Sequence, residues 1–236
     1  MMATGLWAIP ILAYHRIGQP QADHVPTVTP GHFERHLAFL ARHRYQVLDF
    51  GEVAECLING QSFPRHSAVI TFDDGYEGTA SLAAISLRRF GFHATVFVTP
   101  GEVGLPGFMT WEQVRALAQD GFTVGSHTMH HAYLPVLSAE RIRQELTESK
   151  RALEDQLKQP VPWLSYPVGG FTAEIQAAAK AAGYRAACTT NRGTSKLARD
   201  LFAIRRVKMT ERDTPLSLWV KLSGYYDVFR VIEQPA

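Results

Sequence analysis

Cysteine is scarce in this 236-residue chain, with only Cys56 and Cys188 present, far apart and in no C-x-x-C context. That excludes a disulfide framework and a cysteine zinc site, and it fits a reducing compartment. Long apolar runs are missing too. The first, Leu6 to Tyr14, is short, lacks a basic leader and has no small-residue cleavage site before His15 and Arg16. It reads as neither a signal peptide nor a membrane span, so the chain as it stands is expected to be soluble and cytoplasmic. Charge of one sign is also lacking: 24 Lys+Arg face 22 Asp+Glu. This argues against a nucleic-acid surface or a polybasic membrane patch. No low-complexity linker or internal repeat marks a second unit, so residues 1–236 are expected to form one catalytic domain.

What is present is an alternation of short β-branched runs with helical patterns. Strands are predicted at Trp7–Tyr14, Gln46–Leu48, Ala68–Phe72, Ala94–Val98, Phe122–Ser126, Trp163–Tyr166 and Ala186–Thr189, with an eighth at Phe202–Val207. Thr110-Trp-Glu-Gln113 reads as a capping box, and Ser138 as the cap of a long helix over Ala139–Leu157. Gly121 and Pro160 end these two helices. The class is α/β, a distorted (β/α) barrel with seven or eight parallel strands.

Chemistry concentrates at strand ends. Ala68-Val-Ile-Thr-Phe-Asp-Asp-Gly75 closes an apolar strand with two adjacent carboxylates, Asp73 and Asp74. Neighbouring side chains on an extended backbone point to opposite sides, so two different roles are implied, such as one metal ligand and one base. The competing reading is an Asp-Gly turn with solvated carboxylates. Another predicted strand runs into His127-Thr-Met-His130-His131, three of the chain's ten histidines. Imidazole clusters attract borderline divalent metals. In a coiled or helical stretch His127 and His131 share a face, although spacing alone does not choose between His130 and His131. Two histidines and one carboxylate leave open positions for water or substrate, as in catalytic metal sites.

Thr71-Phe-Asp-Asp-Gly75 and His127-Thr-Met-His-His131 resemble the first two motifs of the polysaccharide deacetylases, the NodB-homology carbohydrate esterases. The resemblance runs from about Pro10 to about Val207. It implies that Asp73 is the catalytic base and that Asp74, His127 and His131 hold a divalent metal. Two departures stand out. The family's third motif usually reads Arg-x-Pro, and Ser165 stands here in Ser165-Tyr-Pro-Val-Gly169 where the arginine is expected. Arg206, or its neighbour Arg205, is the candidate replacement. The Leu-x-His that supplies the family's catalytic acid towards the C-terminus is also absent. Pro10-Ile-Leu-Ala-Tyr-His15 resembles instead the circularly permuted poly-N-acetylglucosamine deacetylases, which makes His15 the candidate acid. By the same resemblance the backbone N–H of Val168, after Pro167, donates to the oxyanion.

Tyr14-His15, Asp73-Asp74, His127 and Tyr166-Pro167 all lie just beyond the C-terminal ends of predicted parallel strands, the rim where barrel enzymes assemble their sites. Of the nearby aromatics Trp111, Trp163, Tyr166 and Phe171, Tyr166 is the first choice for a wall against a sugar ring. The expected activity is metal-assisted removal of an N-acyl group from an amino sugar in a poly- or oligosaccharide. Zinc is the default ion, and cobalt, nickel or iron suit the same ligands. Three rivals remain: a deformylase or amidohydrolase acting on a lipid-linked sugar or cyclic imide, an iron oxygenase, whose usual His-x-Asp/Glu spacing is absent, and a sugar-binding module that has lost catalysis, prompted by Ser165.

Overall fold

Eight parallel strands form the main sheet, and seven of them close into a barrel. The structure is a computed structural model that describes residues 9–64, 66–192 and 200–223, with backbone alone at 191–192. Trp7 and Ala8 of the first predicted strand lie outside the described residues. The strands are β1 (Ile11–Tyr14), β2 (Arg16–Ile17), β3 (Thr27–Val28), β4 (Gln46–Leu48), β5 (Ser67–Phe72), β6 (Thr95–Val98), β7 (Thr123–Ser126), β8 (Trp163–Ser165), β9 (Ala186–Arg192) and β10 (Ile204–Lys208). The helices are α1 (Pro30–Arg42), α2 (Phe50–Ile58), α3 (Ala84–Phe90), α4 (Trp111–Gln119), α5 (Ala139–Leu157), α6 (Ala173–Ala181) and α7 (Pro215–Leu222).

The ring runs β1-β10-β9-β8-β7-β6-β5 and closes where β1 pairs with β5, Ile11 opposite Val69 and Tyr14 opposite Phe72. The choice between seven and eight strands is thereby resolved. The predicted strand at Gln46–Leu48 exists as β4, but it pairs with β5 alone, at Ser67–Val69, while β6 takes Thr71 and Phe72 further along. β2 and β3 form a separate two-stranded parallel sheet that the sequence pattern does not reveal.

Strand alternation sorts the core into layers. Ile11, Val69, Phe97, Trp163, Cys188 and Ile204 pack together inside the ring with Phe50 of α2. Their neighbours Leu12, Ile70, Val96 and Val207 pack outwards against the helices. Leu164, Tyr166 and Ala187 do the same beneath α5 and α6. The helix starts follow from local chemistry: Thr110 accepts from the Gln113 N–H while the Gln113 side chain accepts from the Thr110 N–H, a full capping box on α4. Ser138 caps α5, which spans the predicted Ala139–Leu157.

Candidate active site

β5 delivers two carboxylates to one end of the barrel in different surroundings. Asp73 continues the inward face of Val69 and Thr71, and its N–H donates to the Tyr14 carbonyl at 3.0 Å. Its carboxylate is wholly buried and gripped by Arg206, with Nη1 donating to Oδ1 at 2.7 Å and Nη2 to Oδ2 at 2.6 Å. The guanidinium also donates to Thr71 Oγ1 at 3.1 Å and to Ser165 Oγ at 2.9 Å. Burial works to raise the Asp73 pKa, but Arg206 above all, with His127 and His15, holds it below the usual carboxylate value. Burial works to lower the Arg206 pKa, but the charge and hydrogen bonds of Asp73, together with its other acidic neighbours, push it up. Cys188 lies close enough to feel both charges, and burial pushes its thiol up to about 12, so it stays protonated.

Alternation along β10 makes this pairing possible, Arg206 standing two residues beyond the inward Ile204. The register of β10 against β9 shifts between Arg205 and Arg206, and Arg206 points into the barrel while Arg205 is exposed. The structure thus chooses between the two arginines. Ser165 occupies the motif position without a charge and serves as an acceptor for the cation arriving from β10.

Asp74 leaves the strand in a left-handed conformation, φ 72°, and joins His127 and His131. Its Oδ1 lies 3.3 Å from His127 Nε2 and 3.2 Å from His131 Nε2. One donor atom from each residue falls within 4.8 Å of the other two, and among the described residues this is the one such group. His127 Nδ1–H donates to the Ser165 carbonyl at 2.8 Å, which leaves the Nε2 lone pair facing Asp74. No well-oriented hydrogen bond reaches the buried Asp74 Oδ1. Burial works to raise the Asp74 pKa, yet the two imidazoles hold the carboxyl well below its usual range. Asp74 in turn raises His131.

The residues fit a divalent metal. An orphaned carboxylate oxygen and an imidazole lone pair converge, and ligands bonded at about 2.0–2.1 Å to a tetrahedral ion lie roughly 3.4 Å apart, close to the separations seen here. His130 turns the other way, its ring Nδ1 2.9 Å from Oε1 of the buried Glu145 and its N–H donating to Oε2 at 2.8 Å. Geometry therefore brings His131 rather than His130 to Asp74.

His15 follows β1 directly, and its Nδ1 is buried without a hydrogen-bond partner. Burial lowers its pKa; the charges of Asp73 and Asp74 oppose that shift, while Arg206 and His127 add to it. His15 thus shares one electrostatic environment with both halves of the site. Pro167 and Val168 lie in a 3₁₀ turn tied down by Thr189 Oγ1, which donates to the Gly169 carbonyl at 2.8 Å. Val168 takes φ 56° and ψ 1° with its side chain exposed, a conformation costing a β-branched residue on the order of 1–3 kcal/mol.

The expected aromatic wall needs correction. Tyr166 follows Leu164 outwards by strand alternation, and its ring is buried in the helix layer, stacked on Phe171 at 5.4 Å. Trp163 points into the barrel core against Phe50, and Trp111 packs on the helix layer. Sequence reasoning missed Thr71 as a partner of Arg206, and it missed both uses of Ser165. The small hydroxyl in place of the motif arginine was the available signal for the second.

A buried carboxylate clamped by arginine, set beside an Asp-His-His cluster on the C-terminal rim of a parallel barrel, is an arrangement that suits a barrel hydrolase. The polysaccharide deacetylase family model matches residues 60–187. YxkH of Bacillus subtilis, named among polysaccharide deacetylases, is 31% identical over 202 residues, covering 86% of this chain and 71% of that one. The chain belongs to the polysaccharide deacetylase family. A peptidoglycan-N-acetylglucosamine deacetylase of Bacillus cereus is 30% identical over 118 residues, 49% of this chain and 53% of that one. The Streptococcus pyogenes deacetylase PplD, solved in complex with acetate, superposes with a TM-score of 0.86 at 26% identity, over 92% of this chain and 98% of that one. The family acts on carbohydrate and is generally dependent on a divalent metal. Among the described residues no helix is long and apolar enough to cross a membrane.

Proposed function

We propose that this protein hydrolyses the N-acetyl group of an amino sugar within an oligo- or polysaccharide, with Asp74, His127 and His131 holding the metal. The observation that carries the reading is the adjacency of two unlike carboxylates, Asp73 clamped by Arg206 and Asp74 left open between two imidazoles. The named activity of the Bacillus cereus relative on N-acetylglucosamine supports the amino-sugar substrate.

A divalent ion bound there, zinc by donor preference, supplies a Lewis acid for the amide carbonyl and lowers the pKa of water. The remaining steps belong to the protein. Asp73, kept ionised by Arg206, accepts the proton of the attacking water. The Val168 N–H donates to the carbonyl oxygen as it gains charge. His15, in its protonated form, donates to the departing nitrogen, so the amine leaves neutral as the C–N bond breaks. Asp73 and Asp74 both favour that protonated form against the burial that disfavours it.

Acetate release from N-acetylglucosamine oligomers is the test, run as purified, after chelation, and after zinc, cobalt, nickel or iron is restored. The reading requires release that chelation stops and a metal restores. Tight metal binding without hydrolysis of any acylated amine would establish the sugar-binding module instead.

A further inference from the structure

A cavity of about 450 Å³ that the proposed chemistry does not use lies between the β2–β3 connection, the segment after Asp74 and Phe108. Two of its lining residues adjoin the site in sequence, Arg16 directly after His15 and Tyr76 two residues beyond Asp74. The cavity is firmly built. The Arg16 guanidinium sits 4.5 Å over the Tyr76 ring, which stacks on Phe108 at 4.9 Å, and Arg16 pairs with Asp23 at 2.6 Å. The floor is a π-helical turn, Thr79–Ala83, a rare geometry that recurs at functional sites. The turn lies so close to β2 that a Cβ on Gly78 would fall 1.9 Å from the Ile17 carbonyl oxygen, which only glycine avoids.

We propose that this cavity holds the sugar unit adjoining the one that is deacetylated, so that the polymer runs from the metal cluster past His15 towards the β2–β3 connection. The inference rests on the amino-sugar reading above. The lining mixes apolar groups, Leu82 and Phe108 among them, with the side-chain amides of Gln19 and Gln21 and the carboxylate of Glu77. Such a lining matches a pyranose, which has apolar C–H faces and a rim of hydroxyls. Arg16 already has its counter-charge in Asp23, so the cavity suits an uncharged unit over a phosphate or uronate.

Leu82 is 38% exposed and outside the catalytic machinery, so Leu82→Trp fills the cavity without touching the site. Its KM for β-1,4- or β-1,6-linked N-acetylglucosamine tetramer should rise about tenfold at unchanged kcat. Hydrolysis of 4-nitrophenyl acetate, which occupies the reacting centre alone, should stay at the wild-type rate and so reports folding. In metal-free wild-type protein, the Leu82 methyl resonances should shift on titration with the tetramer but not with the monosaccharide. An unaltered tetramer KM, equal losses on both substrates, or methyl resonances that ignore the tetramer would overturn the subsite. Absence of acetate release by wild-type protein would sink the deacetylase reading separately, and the titration would still decide the cavity.

Discussion

Asp73 and Asp74 are neighbours in sequence and identical in chemistry, yet they occupy opposite regimes. Both oxygens of Asp73 accept from Arg206, which is equally buried, and each keeps a lone pair for a further proton. Asp74 keeps an oxygen with no oriented donor and faces His131, whose side chain is 35% exposed. The clamped side fixes a charge in place, and the open side gathers donor atoms that a cation could share. One left-handed residue separates the two environments, which are expected to fail in different ways.

The largest effect is expected on the open side. Asp74→Asn or His127→Ala should abolish zinc binding by calorimetry together with acetate release; thermal stability should change little in Asp74→Asn, whose Oδ1 has no oriented bond to lose, and fall in His127→Ala with its bond to the Ser165 carbonyl. A variant that loses activity yet binds zinc as tightly as wild type would break the contrast. On the closed side, Asp73→Asn should keep the metal and lose about 10²–10⁴-fold in kcat. Arg206→Met should keep metal binding but strand a buried carboxylate, costing about 3–5 kcal/mol by denaturant unfolding. The sign of the pH effect follows from the pairing. The Asp73 pKa is depressed, so its contribution to stability is present above the unfolded carboxylate value and is lost as pH falls through the folded one. Without Arg206, burial raises that pKa, and the acid limb of the rate profile should move to higher pH. An unmoved limb would show that Arg206 does not set the charge of the base.

Ser165→Ala sharpens the comparison by removing one acceptor of the guanidinium. It should cost about 1.5–3 kcal/mol and spare zinc affinity, since the Ser165 carbonyl that orients His127 remains. The smallest effect lies behind β1. His36 is buried and neutral, accepting from the Tyr14 hydroxyl and donating to the Asp213 carbonyl, both at 3.0 Å. Burial depresses its pKa, so its support is complete above the unfolded histidine value of about 6.5 and declines as pH falls towards the folded one. Melting temperature should drop over that window in wild type and less in His36→Phe; equal slopes would remove His36 from the account.

The barrel and the polar ends of its strands were legible in the sequence because both are local signals. Asp73, Asp74 and His127 stand directly after apolar runs whose strand character is unambiguous, and the α4 and α5 caps are written in four consecutive residues. What escaped depends on parity and three-dimensional closure. Tyr166 reads as a rim aromatic until the strand register places it on the same side as Leu164, away from the ring interior. His130 and His131 differ only in how a turn aims them, with φ 53° at His131 deciding the matter. Arg205 and Arg206 differ by strand parity, fixed only when Ile204 is known to face inward. The cavity beside Tyr76 is enclosed by segments brought together from residues 16–23, 76–82 and 106–108, and no single one of them announces it.

The arrival of Arg206 from β10 has a consequence for how such chains are compared. Around a closed ring every stave is equidistant from the centre, so a counter-charge withdrawn from one can be restored from another without moving the group it neutralises. A tally of signature letters along the polypeptide would score this chain as defective at Ser165. Angular position about the axis finds the guanidinium where the carboxylate needs it.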